Sequence, residues 1–155
     1  MHEITKSRIK VAAGYFLFGI AAILFSKGDM WLLSVTMLYI SSLYLIVVFF
    51  KLHDRRRIIF GLYVYQMIIC ILAYTLIYKK LGILDSQTLE VATSLKDFIY
   101  FSVVTWTTLG YGDFKPSPEA RLYAASQAVL GYLYMSILVA KLFHWFGGNS
   151  TSSNK

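Results

Sequence analysis

The sequence predicts an all-α membrane protein: four transmembrane helices, with a re-entrant helix and a glycine-bearing loop between the third and the fourth. Three observations carry that expectation. The 155 residues are 57% hydrophobic and 15% charged, with a mean hydropathy of +0.60, too apolar for a soluble domain of this size. The apolar residues fall into four blocks without a charge, 11–26, 30–50, 58–78 and 122–140, and a helix needs about 20 residues to cross a bilayer. A fifth apolar segment, 95–107, is too short to cross and runs straight into Gly110, Tyr111 and Gly112.

The first block is short, and Lys10 and Lys27 at its ends reach the headgroups by snorkelling. A cleaved leader would mimic this block. However, Ser26, Lys27 and Gly28 lack a small-x-small cleavage pattern and Met30 opens the next block at once, so it is read as a span. The first two spans form a hairpin closed by Lys27, Gly28 and Asp29, and a basic loop with Arg55, Arg56 and Arg57 follows. Residues 1–57 are thus an N-terminal hairpin with its loop, 58–146 a second module, and 147–155 a polar, low-complexity tail read as disordered.

Within the second module, 79–93 is a polar outer segment. Ser94 with Asp97 three residues later has the form of a helix start. The short apolar helix that follows stays at membrane depth only if protein surrounds it, hence the re-entrant assignment. Ser117, Pro118 and Glu119 provide a cap, a proline at the first helical position and an acid in the first turn. The last span carries Ala124, Ala125, Ser126, Ala128, Gly131 and Ser136, small residues that let helices approach closely in lipid.

A net charge of +7 in a soluble chain would suggest nucleic acid, but here the charges mark topology. With both termini cytoplasmic, the inner segments hold nine basic residues against two acidic, and the outer segments six against six. That bias fits a multi-pass protein of the cell membrane in this orientation. Arg55, Arg56 and Arg57 serve as a positive-inside anchor, with anionic lipid headgroups as a further partner. Neither of the first two spans repeats an arginine, so the charge pattern of a voltage sensor is missing. Cys70, the only cysteine, reads as a buried inert thiol. His2, His53 and His144 have no ligand partner at metal-binding spacing.

Gly110 and Gly112 alternate with residues that carry side chains. Glycine takes positive φ without steric cost, so this alternation lets successive carbonyls point the same way. One such strand leaves its oxygens unpartnered; four around an axis would stack them into rings that replace a cation's hydration shell. The full run Thr105-Trp106-Thr107-Thr108-Leu109-Gly110-Tyr111-Gly112-Asp113, with its preceding helix and following span, resembles the pore module of the tetrameric potassium channels. The resemblance implies a homotetramer. Carbonyls of Thr108, Leu109, Gly110 and Tyr111, with Gly112 closing the loop, would hold K+, the Thr108 hydroxyl would complete the innermost site, and no organic cofactor would be needed. Asp113 would stand at the outer mouth. Tyr100, Thr105 and Thr107 would support the loop, Tyr100 by holding Asp113, Thr105 by bracing Tyr111, and Thr107 at the base of the cavity.

The chain departs from that pattern in three places. Leu109 replaces the commoner valine, Tyr100 and Phe101 stand where tryptophans are frequent, and Val104 stands where some members place a glutamate. On the last helix, Gly131 is read either as a hinge or as a packing glycine, and Met135, Val139 and Phe143, in phase with Tyr132, as a gate-lining stripe. The functional expectation is a potassium-selective channel, not an enzyme. A weakly selective monovalent cation channel and a potassium transporter subunit are the alternatives.

Overall fold

The computed structural model describes residues 20–21, 31–51 and 56–147. Most of the expected first span, the chain before it, Arg55 and the tail beyond Gly147 lie outside the described residues; Ile20 and Ala21 are helical. Four α-helices follow: α1 (Trp31–Lys51), α2 (Arg56–Leu81), α3 (Leu95–Trp106) and α4 (Arg121–Gly147). A one-turn 3-10 helix, Pro118–Ala120, leads into α4. Two stretches, Phe60–Leu81 and Pro118–Phe143, are long and apolar enough to cross a membrane. In α1 the shorter stretch Leu33–Ile46 is apolar. These helices are apolar around their whole circumference, as expected where lipid replaces water outside.

The expected caps form. Ser94 is the N-cap of α3, its hydroxyl accepting from Lys96 N at 3.3 Å, with Asp97 in the first turn. Ser117 caps the 3-10 turn by accepting from Ala120 N, and Pro118 takes the first helical position. The Ser117 hydroxyl also donates to Leu81 O at 2.9 Å, tying the end of α2 to the start of α4.

The structure is mostly helical, as expected for the all-α class, and the segments flanking α3 add a short ribbon. Strands β1 (Ile83–Asp85) and β2 (Phe114–Pro116) form an antiparallel ribbon pairing Ile83 with Pro116, Leu84 with Lys115 and Asp85 with Phe114. Gly82, at φ +91°, turns the chain out of α2, and Ile83 is fully buried. Three residues per strand are too few for an alternating pattern to register in the sequence, and the partner strand lies beyond an entire helix.

The core is aromatic and sits where α2, α3 and α4 meet. Phe101 meets the Tyr78 ring edge-on at 4.8 Å between centroids, and Trp106 meets Tyr134 at 5.3 Å. Tyr63 stacks on Tyr134 at 4.5 Å and donates its hydroxyl proton to Tyr134 O. Cys70 is buried, as expected, beside the Gln66 amide. α1 packs on α2, where Gln66 Nε2 donates to Ser41 Oγ at 2.7 Å. It also reaches α4, since Tyr39 Oη donates to Ser126 O at 2.6 Å.

At Gly131 the last helix touches the end of α3. A Cβ there would lie 2.0 Å from Trp106 O and 2.9 Å from its carbonyl carbon, and α4 runs unbroken through the position. Close approach therefore demands glycine, which is the packing alternative among the two readings of this residue. Gly131→Ala should destabilise the protein by about 3 kcal/mol or more, because backbone rather than a pliant side chain must move. Thermal unfolding of the solubilised protein checks this; an unchanged midpoint would mean that the two helices are not in contact.

Candidate functional site

The site is the loop between α3 and β2. Its first residues hang on the free carbonyls at the C-terminal end of α3. Thr107 N donates to Val103 O at 2.9 Å, Thr108 N to Thr105 O at 3.1 Å and Leu109 N to Val104 O at 3.0 Å. The Thr107 hydroxyl adds bonds to Val103 O at 2.9 Å and Val104 O at 3.2 Å. The loop itself thus satisfies the carbonyls of Val103, Val104 and Thr105 in the last turn of α3. Thr105 enters this arrangement through its carbonyl, while Thr107 is exposed.

The backbone then alternates in hand. Thr108 (φ +56°), Gly110 (φ +57°) and Gly112 (φ +81°) are left-handed, whereas Leu109 and Tyr111 between them are not. Alternating hand turns each peptide plane back toward its predecessor, the condition under which carbonyls gather on one side. Ideal Cβ atoms at Gly110 and Gly112 would meet nothing within 4 Å, so glycine is required there by conformation and not by space. Thr108 adopts the left-handed region despite its β-branch, a conformation costing about 1–2 kcal/mol. Its N–H bond to Thr105 O helps to hold it there.

Tyr111 stacks on Tyr100, ring centroids 6.5 Å apart and planes 7° from parallel. Tyr100 also meets Phe114 edge-on at 6.1 Å, and its phenol is hydrogen-bonded to the Asp113 carboxylate. That bond, with lesser help from desolvation and from the charge itself, pushes the Tyr100 phenol up to about 12. Within one chain the aromatic partner of Tyr111 is therefore Tyr100, the same residue that holds Asp113. Asp113 Oδ1 also accepts from Phe114 N at 3.1 Å. The Asp113 carbonyl accepts from Ser86 N at 2.8 Å, fastening the loop exit to the turn after β1. Asp85 shapes that turn by accepting from Gln87 N and Thr88 N, bonds that hold its carboxyl below the usual range.

The remaining expected residues lie on α4. Met135, Val139 and Phe143 are exposed in the single chain, as is Tyr132, so this stripe points away from the subunit's own core. Gly131 instead faces α3. Arg56 opens α2 and Arg57 lies in its first turn, while Arg55 is outside the described residues.

Several residues beyond the motif also position the site. Gln127, buried in the second turn of α4, donates through Nε2 to Ser102 Oγ at 2.8 Å and Ser102 O at 3.2 Å, and accepts from Tyr78 Oη at 2.6 Å. Ser102 Oγ in turn donates to Ile71 O at 2.8 Å. A glutamine and a serine in otherwise apolar helices are the sequence signal for such a contact. Ser86 gave no signal, because it acts through its backbone.

The family model described as "Ion channel" matches residues 58–147. Among curated proteins, two-pore potassium channel 2 of Arabidopsis thaliana is 32% identical over 75 residues. That match covers 44% of this chain and 17% of the plant protein, so the chain spans only a small part of its relative's length. No solved structure matches this chain. With the family model covering the loop and the helices α2, α3 and α4 around it, the chain belongs to the ion-channel family that this model describes.

Proposed function

We propose that this protein is a potassium-selective channel of the cell membrane. Four identical chains bring four copies of the loop to one axis, with both termini cytoplasmic. The observation that carries the reading is the alternating backbone hand at Thr108, Gly110 and Gly112 in a chain of the ion-channel family. Carbonyls of Thr108, Leu109, Gly110 and Tyr111 replace the hydration shell of K+, and the Thr108 hydroxyl closes the innermost site. Conduction is passive: an ion enters dehydrated, and repulsion between neighbouring ions moves it on. No bond is made or broken, so no enzyme chemistry is involved.

Asp113 at the outer mouth raises the local cation concentration, and Tyr100 orients it. Met135, Val139 and Phe143 line the inner passage below the loop. With no arginine series in its described helices, the protein opens without a charged sensor crossing the field. The basic run Arg55, Arg56 and Arg57 serves as the positive-inside anchor of the chain and can pair with anionic lipid headgroups.

Purified protein in liposomes should pass K+, with a reversal potential that follows the K+ gradient when Na+ is the opposing ion. A potential indifferent to which cation is on which side would replace this reading with a weakly selective channel. Gly110→Ala should cut K+ current about 5–30-fold, since a left-handed alanine costs roughly 1–2 kcal/mol; unchanged current would show that the alternation is not used. Tyr100→Phe keeps the ring stack but releases Asp113, and macroscopic current should decay faster under sustained opening. The Tyr100 phenol is raised above its ordinary value of 10.0, so its bond to Asp113 is fully present below that pH and is lost as pH rises through about 12. The decay rate of the unmodified protein should accordingly stay constant up to pH 10; a change in the neutral range would point to another group.

A further inference from the structure

We propose that Gln127 is a positioning residue for ion selection, holding α3 at the depth on which the geometry of the loop depends. The inference rests on the channel reading above. Gln127, Ser102 and Tyr78 are all buried at 1% exposure or less, and one carboxamide joins three helices. Its oxygen takes the Tyr78 proton from α2, and its nitrogen gives protons to the Ser102 hydroxyl and carbonyl on α3. The Ser102 hydroxyl passes its own proton to Ile71 O, so α3 is tied to α2 both directly and through α4. In lipid no water competes for these groups, and breaking one leaves its partner unsatisfied.

Ser102 lies one turn before the end of α3. The carbonyls of Val103, Val104 and Thr105 that follow it receive the first three N–H groups of the loop. A slip of α3 along α2 therefore carries Thr107, Thr108 and Leu109 with it, displacing the backbone oxygens proposed to bind the ion. The neighbouring Ser126 instead serves α1 and α2, accepting from Tyr39 at its carbonyl and sharing a 2.8 Å bond with the Tyr74 hydroxyl. Two adjacent positions on α4 thus divide the work: residue 126 fastens the outer helices and residue 127 fastens the helix that carries the loop.

Gln127→Met keeps the length and apolar volume of the side chain but none of its hydrogen bonds, and Ser102→Ala removes the receiving hydroxyl with minimal change in packing. Each should lower the K+ over Na+ permeability ratio, read from bi-ionic reversal potentials, by about tenfold, the order of one buried hydrogen bond. The double variant should be no worse than the poorer single one, because both act through one contact. Tyr39→Phe removes a bond of the same kind that does not reach α3; it should lower the thermal midpoint and leave the ratio unchanged. A wild-type ratio in Gln127→Met, or an equal loss of selectivity in Tyr39→Phe, overturns the proposal. If Gln127→Met does not assemble, Ser102→Ala decides by the same criterion. A parent protein that carries no K+ current, or shows no preference for K+, removes the channel reading and this inference together. A selective parent with insensitive variants removes the inference alone.

Discussion

The contact between the Trp106 carbonyl and Gly131 sets the rest of the arrangement. Only a residue without a Cβ lets α4 come this close to the end of α3. That approach fixes where the short helix ends against its long neighbour, and the loop begins one residue later. The aromatic packing of Trp106 on Tyr134, and of Tyr134 on Tyr63, fills the space around the contact. The loop is thus placed by rigid, buried elements, although its own residues from Thr107 to Asp113 are exposed in the single chain.

Much of this was legible before any coordinates. Caps are local chemistry, so Ser94 and the Ser117–Pro118 pair announced their helices correctly. The length of α3 followed from an apolar run too short to cross a bilayer, and the two glycines marked the loop. What escaped was non-local or backbone-borne. The ribbon joins segments separated by α3 and gives no periodic signal of its own. Thr108 belongs to the left-handed series, yet a β-branched residue is among the last from which positive φ would be inferred. Ser86 acts through an N–H group that any residue but proline possesses. Gly131 was visible as a small residue, but a hinge and a close approach leave the same letter in the sequence.

The unusual aromatic shell also takes a definite form. Tyr100 performs two tasks at once, stacking on Tyr111 and bonding to Asp113. Phe101, which has no proton to donate, turns inward and packs on Tyr78 instead. Polar support is displaced to the far side of α3, where Ser102 meets Gln127. The helix is thereby braced on two faces by different chemistry, aromatic toward the loop and amide toward the core.

The loop is held at both ends by different parts of the fold. Its start is bonded to α3, and its exit to the turn after β1 and to Tyr100. Between them, no backbone hydrogen bond within the chain holds Gly110, Tyr111 or Gly112 among the described residues. A segment clamped at its ends has its largest thermal amplitude at midspan. Here midspan is Gly110 and Tyr111, restrained only by the Tyr111 ring. Displacement along the ring plane is resisted less than displacement toward the ring face, since stacked planes slide more readily than they compress. The softest distortion of the loop is therefore a shear parallel to Tyr100, and its direction is set by an aromatic pair rather than by the backbone.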